Sequence, residues 1–220
     1  MNKTTYLLTG AAGFLGSNIS RSLIAQGQKV RALVLDGDPA AKSIPDGVEI
    51  VPGDLLDPDS LERFFTVPAG EDMIVLHAAS FVTVVPDWNE KVCAVNVTGT
   101  KNIVDLCLLH NVKKLVYVSS TGAVPELPHG TKIKEPERLD PDLVPGCYQK
   151  TKAMATQIVL DAVQTYGLDA SVIYPSGICG PNDYGYSFVS QFITDYARGK
   201  LPAGINGSLI PLMYAISRTA

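Results

Sequence analysis

Thr9-Gly10-Ala11-Ala12-Gly13-Phe14-Leu15-Gly16 decides the reading of this chain, because it follows directly on the apolar run Thr5 to Leu8 and leads into a helical pattern. Glycines at 10, 13 and 16 permit a tight turn, a close approach of backbone to a bulky anion, and close packing of helix on strand. The start of the helix then offers unpaired N–H groups and partial positive charge, the physical means of holding phosphate. Strand, Gly-rich turn and helix in that order make a phosphate cradle. Glycines alone would mark only a turn.

Outward from this stretch, apolar runs of strand length alternate with longer amphipathic stretches, the pattern of a parallel sheet covered by helices. Strands are expected at Thr5 to Leu8, Val30 to Leu35, Val48 to Val51, Met73 to Leu76, Leu115 to Val118 and Ala170 to Tyr174. Helices are expected from Phe14 to Gln26, stopping at Gly27; after the Asp57-Pro58-Asp59 cap signal, carrying Leu61, Phe64 and Phe65; from Asn89 to His110; and from Tyr148 to Tyr166, ending at Gly167. The Pro- and charge-rich segment Pro125 to Pro145 reads as a long functional loop. The fold class is therefore α/β, a doubly wound parallel sheet.

Composition narrows the partners. The 220 residues suffice for a self-supporting core, and the net charge of −4 carries no basic footprint for nucleic acid. Cys93, Cys107, Cys147 and Cys179 fall at irregular spacings with no C-x-x-C pair, so reduced thiols and no metal site are expected. The start has no signal-peptide pattern, and no apolar run approaches the roughly 20 residues of a membrane span, which makes a cytoplasmic address without membrane contact the expectation. A small-molecule ligand fits this balance best.

A second chemical signal lies in Tyr148-Gln149-Lys150-Thr151-Lys152, where Tyr148 and Lys152 share one helix face. An ammonium beside a phenol favours phenolate and brings the tyrosine towards general acid–base work. Tyr196 and Lys200 repeat the spacing, but they follow the last strand and Gly199 precedes the lysine.

The glycine spacing resembles that of the short-chain dehydrogenase/reductase family, whose extended members open with T-G-x-x-G-x-x-G. Further matching pieces follow in family order: Gly53-Asp54-Leu55, His77-Ala78-Ala79, Asn96-Val97-Thr98-Gly99-Thr100, and Tyr174-Pro175-Ser176-Gly177-Ile178-Cys179-Gly180-Pro181. The resemblance covers residues 5 to about 205. It implies a Rossmann-like domain over 1–175 that binds NAD or NADP, with the start of a substrate-binding region over 176–208 as only a fragment of the C-terminal substrate lobe. By the same resemblance, Gly10, Gly13, Phe14, Leu15 and Gly16 form the cradle, Asp54 and Leu55 contact adenine, Ala78 and Ala79 line the dinucleotide, and Tyr174, Pro175 and Ile178 hold the nicotinamide end. Tyr148 and Lys152 become the proton-transfer pair, with Lys152 also holding the nicotinamide ribose. Thr121 supplies the third hydroxyl, counted from the last apolar residue of the fifth strand, with Ser120 as the alternative. His77 reads as a packing residue.

Leu35, where dihydroflavonol reductase-like members often carry arginine, together with Asp36 and Asp38, inclines the choice to NAD. Arg31 is the counter-candidate for a 2′-phosphate. Ala123-Val124-Pro125-Glu126 departs from the V-Y-G segment of nucleotide-sugar epimerases and dehydratases, so the branch resembled is that of the dihydroflavonol reductases and hydroxysteroid dehydrogenases. The implied reaction is hydride transfer between NAD(P) and a ketone or secondary alcohol. A sugar-nucleotide epimerase or dehydratase, or a protein that binds dinucleotide without turnover, are the alternatives. Family members often pair through the long helices, so a homodimer through 89–110 and 148–166 is one expectation, although core packing explains the same apolar stripes.

Residues 209–220 do not resemble the family segment expected there. In one permitted back-translation, Leu209 to Arg218 read two bases later gives N-S-V-D-V-R-D-L-A, close to a stretch common in extended members. Our hypothesis is that a one-base deletion near Ser208 shifted the frame and ended the protein early, with activity impaired by the missing lobe. Sequencing the gene should show that hidden segment continuing open in the next frame; its absence would remove the idea.

Overall fold

The structure, a computed structural model, describes residues 3–128, 130–185 and 187–200. The strands are β1 (Thr4–Thr9), β2 (Lys29–Val34), β3 (Glu49–Pro52), β4 (Asp72–His77), β5 (Lys114–Val118) and β6 (Ala170–Ile173). All pair parallel in the order β3-β2-β1-β4-β5-β6. This is the doubly wound order expected, and the strand order reverses between β1 and β4, while every strand keeps the same direction. Each of the six expected strands is present, with ends displaced by at most one residue.

The helices are α1 (Phe14–Ala25), α2 (Pro58–Phe65), α3 (Glu90–Cys93), α4 (Gly99–Leu109), α5 (Cys147–Tyr166) and α6 (Phe188–Ala197). Gly27 and Gly167 adopt positive φ just past α1 and α5, as their place in the sequence requires. Asp57 caps α2 by accepting the Asp59 N–H, and Pro58 opens it. Several elements differ from expectation, among them α6, where no helix is expected. A 3-10 turn, Pro39–Ser43, capped by Asp38, fills the β2–β3 connection. The helix expected across 89–110 is interrupted by a π-helical run, Ala94–Thr98, between α3 and α4. Periodicity cannot reveal that wider turn, which depends on what Asn96 meets in three dimensions.

Strand alternation divides the core in two. Leu7, Leu33, Val75, Leu115 and Tyr117 meet Leu61, Phe64 and Phe65 of α2, Ile103, Val104 and Cys107 of α4, and Ala155, Val159 and Ala162 of α5. Leu8, Ala32 and Val34 point the other way, against Ile19, Leu23 and Ile24 of α1. β1, covered on both faces, is accordingly apolar at consecutive positions, as the sequence run suggests.

The helical run Glu90–Leu109 has the length and mean hydropathy of a membrane span, although Glu90, Lys91, Lys101 and Asp105 interrupt its apolar residues. Val92, Ile103, Val104 and Cys107 are buried in the domain while Lys91, Lys101 and Asp105 are exposed, so core packing accounts for its apolar content. The long loop is pinned midway by Leu139 and Val144, which pack on Ala123 and Ala153. The frameshift reading falls on 209–220, outside the described residues.

Candidate active site

Glycine constraints build the cradle at the C-terminal edge of the sheet. Gly10 has φ of +76°, and a Cβ there would stand 2.6 Å from the Ala79 nitrogen. A Cβ on Gly16 would stand 2.0 Å from the Gly10 carbonyl oxygen, so α1 docks against the turn only because residue 16 has no side chain. Gly13 has the Gly10 oxygen alone near its missing Cβ, at 3.3 Å, and its exposed backbone faces outward. These close approaches leave a cavity of about 470 Å³ between β1, β2 and β4.

Gly10, Gly13, Asp54, Leu55, Ala78 and Ala79 line this cavity. Leu55 is buried and supports the wall by packing on Gly99. Leu35 and Asp38 also line it, with the Asp38 carboxylate accepting the Ala40 N–H. Asp36 is exposed and outside the lining, so of the two acids only Asp38 faces the cavity. Arg31 is engaged away from the cavity: it pairs with Glu49 at 2.7 Å and donates to the carbonyls of Phe64 and Thr66.

Other predicted residues serve the surroundings. Gly16 holds the helix in place, and Phe14 and Leu15 are half-buried outside the lining, with the Phe14 ring beside Gly180. Tyr174 packs against the cluster of Ala123, Leu139, Val144 and Ala153 rather than into the cavity. The Pro175 carbonyl accepts the Thr121 N–H at 3.0 Å, which extends the β5–β6 alignment, and Ile178 is half-buried outside the lining.

The proton-transfer pair occupies the first turns of α5. Tyr148 is half-buried, and burial raises the phenol above its ordinary value while the hydroxyls of Ser80 and Ser120 pull it back. Lys152 is buried beneath, donating to the Val118 carbonyl at 2.6 Å and lying 4.6 Å from the centre of the Tyr117 ring. With no carboxylate paired to it among the described residues, burial lowers the lysine to about 7. The expected depression of the tyrosine by the lysine's charge is therefore not met: the net direction at Tyr148 is upward, and the groups that oppose it are hydroxyls.

Of the two candidate hydroxyls, Ser120 is the one that meets Tyr148. Thr121 is exposed at the start of the 3-10 turn Thr121–Ala123. Counting from the last apolar residue fails because extended backbone continues past β5. Leu115, Tyr117 and Ser119 share the buried side, Ser119 contacting Thr156 at 2.6 Å, and Ser120 emerges opposite. Ser120 also caps the turn by accepting the Gly122 N–H, so the capping and site readings both apply to it.

Sequence reasoning missed the residues that join cradle to tyrosine. Asn96, buried in the π-helical run, accepts from the Ser80 hydroxyl and the Phe81 N–H, and donates to the Phe81 carbonyl and the Thr151 hydroxyl. All its polar capacity is thereby used to fix the segment after β4 against α5. Placing Asn96 in the matched helix segment signalled its presence, but nothing local signalled its partners.

His77 supplies a second link. The Thr9 hydroxyl accepts from the Ala79 N–H, so its proton goes to His77 Nδ1 at 2.7 Å; Thr100 donates to the Asn96 carbonyl, so it accepts from His77 Nε2–H at 2.9 Å. One neutral tautomer satisfies every partner. Burial first, and the Lys152 charge second, lower its pKa to about 3, so the ring stays neutral. The packing reading of His77 holds, with the addition that it aligns the cradle.

The model of the NAD dependent epimerase/dehydratase family matches residues 6–213. The chain belongs to that family. It is 34% identical over 206 residues to sterol demethylase protein B of Methylococcus capsulatus, covering 93% of this chain and 60% of that protein. It is 30% identical over 209 residues to a putative dihydroflavonol 4-reductase of Synechocystis, covering 93% of this chain and 58% of the relative. Among solved structures, UDP-glucose 4-epimerase of Thermus thermophilus, in complex with NAD, is 26% identical with a TM-score of 0.75 over 91% of this chain and 64% of that one. The chain thus spans about 60% of the length of these curated relatives.

Lys152 sets a pH dependence. Below about pH 7 the folded and unfolded chains both carry its proton, and the cost of burying the charge is complete. Between about 7 and 10.5 the unfolded chain holds a proton that the fold has released, so this cost shrinks as pH rises. Lys152→Met should therefore melt higher than the parent at pH 6, by at least about 4 °C, with the margin narrowing towards pH 10. Paired calorimetric scans test this; a pH-independent margin would refute it.

Proposed function

We propose that this chain carries the dinucleotide site and the proton-transfer groups of an oxidoreductase acting on a ketone or secondary alcohol, with NAD as its cofactor. The observation that supports it most is the meeting of Tyr148, Ser80 and Ser120 at the edge of a cavity whose lining includes Ser80. The names of two relatives, a reductase and a sterol-demethylase component, agree with carbonyl or alcohol chemistry. The cradle's missing side chains fit a dinucleotide: Gly10 and Gly13 bring backbone to its edge, and Ala78 and Ala79 form its floor.

When bound, the nicotinamide supplies or accepts hydride. The chain does the rest. Tyr148 donates its phenolic proton to the carbonyl oxygen during reduction and takes it back during oxidation. Ser120 orients that oxygen by hydrogen bonding, and burial keeps water from competing with both groups. Lys152, held by the Val118 carbonyl, would hold the nicotinamide ribose and keep the base of α5 in register with β5. Leu35 and the Asp38 carboxylate at the ribose end of the cavity disfavour a 2′-phosphate, which supports NAD over NADP. Epimerisation or dehydration of a nucleotide sugar is the second reading, favoured by the likeness to the NAD-bound epimerase.

Calorimetric titration should show NADH binding at least about tenfold tighter than NADPH. Gly13→Val, whose Cβ meets only the Gly10 oxygen, should keep the fold and lose most of this affinity. Equal affinities would overturn the choice of NAD, and unchanged binding in the variant would overturn the cradle.

With a panel of ketones and NADH followed by nicotinamide absorbance, Tyr148→Phe should reduce kcat on order of a hundredfold or more while leaving NADH affinity intact. Ser120→Ala should lose about tenfold, and Thr121→Ala about twofold at most. A larger loss at Thr121 would reverse the assignment. Conversion of UDP-glucose in place of any ketone would favour the second reading.

A further inference from the structure

The segment between β4 and α3 is built unlike an ordinary surface loop. Phe81-Val82-Thr83-Val84-Val85-Pro86-Asp87-Trp88 contains a single charge, yet Val82 is 67%, Val84 78%, Val85 56% and Trp88 48% exposed. Apolar side chains so exposed and so contiguous, away from the core, mark a surface made to be covered.

Its backbone is held as firmly as its side chains are free. Asn96 grips Phe81 at both N–H and carbonyl, and the Thr83 hydroxyl accepts the Val85 N–H. The Pro86 carbonyl accepts from Cys147 N, one residue before Tyr148, and the Asn89 N–H reaches Cys147 Sγ. Trp88 spends its indole N–H on Glu90, leaving the ring faces unoccupied by polar partners. The wall therefore keeps one shape beside the tyrosine.

Position identifies the occupant. The wall begins where the dinucleotide cavity ends, since Ser80 and Phe81 belong to the cavity lining, and it stays beside the tyrosine, since Pro86 is bonded to Cys147, the residue before Tyr148. A molecule whose carbonyl reaches Tyr148 must lay its body along a surface leaving from that point. Eight residues span at most roughly 26 Å, a scale suited to a molecule of several rings, whereas a stable protein interface takes about 20–30 residues a side. The wall itself has no cation to meet a diphosphate. The neighbouring Lys91 lies 5.8 Å from the Phe81 ring centre and lines the dinucleotide cavity.

We propose that Val82, Val84, Val85 and Trp88 form the specificity surface of the site and select an apolar ketone or secondary alcohol over a nucleotide sugar. This deepens the reading of Tyr148 as the proton-transfer group and rests on it.

Trp88 is the only tryptophan in the chain, so its emission reports the wall directly. The 220-residue chain is titrated with 2-decalone, a bicyclic apolar ketone, and separately with UDP-glucose, each with and without NAD+, while calorimetry follows dinucleotide binding independently. The expected result is a saturable change in Trp88 emission with 2-decalone and none with UDP-glucose. Val84→Asp, at an exposed position outside the core, should weaken the 2-decalone response at least about tenfold without changing dinucleotide affinity. No saturable response to 2-decalone, an equal response in Val84→Asp, or a response to UDP-glucose alone would each overturn the proposal. So would a dimer in sedimentation that Val84→Asp converts to monomer, since the wall would then be an interface between copies. Failure of dinucleotide binding in calorimetry counts against the cofactor reading, and the Trp88 response to 2-decalone alone still decides the wall.

Discussion

Between the first turn of α1 and the turn that leaves β1 there is no room for a methyl group. A Cβ on Gly16 would stand 2.0 Å from the Gly10 oxygen, and one on Gly10 would stand 2.6 Å from the Ala79 nitrogen. Three segments, the β1 turn, the helix after it and the exit of β4, are thus locked backbone to backbone. Side chains could not hold them so closely, and looser contact would close the route by which a diphosphate meets unpaired N–H groups. Sheet order, helix placement and cavity all follow from keeping this contact.

A polar scaffold carries that alignment inward. From the Ala79 N–H, hydrogen bonds run through Thr9, His77 and Thr100 to the Asn96 carbonyl, while the Asn96 side chain secures Phe81 and Thr151. Thr9, His77, Thr100, Asn96 and Thr151 are buried, so an unmatched donor or acceptor there would cost about 1–3 kcal/mol, and the matched set favours one arrangement over its alternatives. The Thr151 hydroxyl in turn donates to the Tyr148 carbonyl, tying the start of α5 to the same frame. Cradle and tyrosine, far apart in sequence, become parts of one rigid assembly.

The chemistry around Tyr148 is set by burial more than by charge. Lys152 enters the interior with its proton opposed by burial, and at about 7 it sits near the edge of keeping it. Its amine is used by the Val118 carbonyl and the Tyr117 ring face, a positioning role that the helix spacing alone could not distinguish from an electrostatic one. The Ser120 hydroxyl, whose proton is not used elsewhere among the described residues, stabilises the phenolate instead, while Ser80 gives its proton to Asn96. Ser80 came from a segment that looked, in one dimension, like the end of a dinucleotide-lining strand.

The amino-acid sequence by itself determined the alternation of strands and helices, the glycine turn, the helix stops at Gly27 and Gly167, and the shared face of Tyr148 and Lys152. These depend on local sterics and on periods of 2 and 3.6, which are written residue by residue. The tertiary structure alone decided that Asp38 rather than Asp36 lines the cavity, that Ser120 rather than Thr121 meets the phenol, that Tyr174 packs into a side cluster, and that the helix widens at Asn96. Each of those outcomes turns on which way one residue points after a strand or helix has ended. For Asn96 the arrangement is fixed by partners 15 and 55 positions away, at Phe81 and Thr151, through hydrogen bonds that no local pattern encodes.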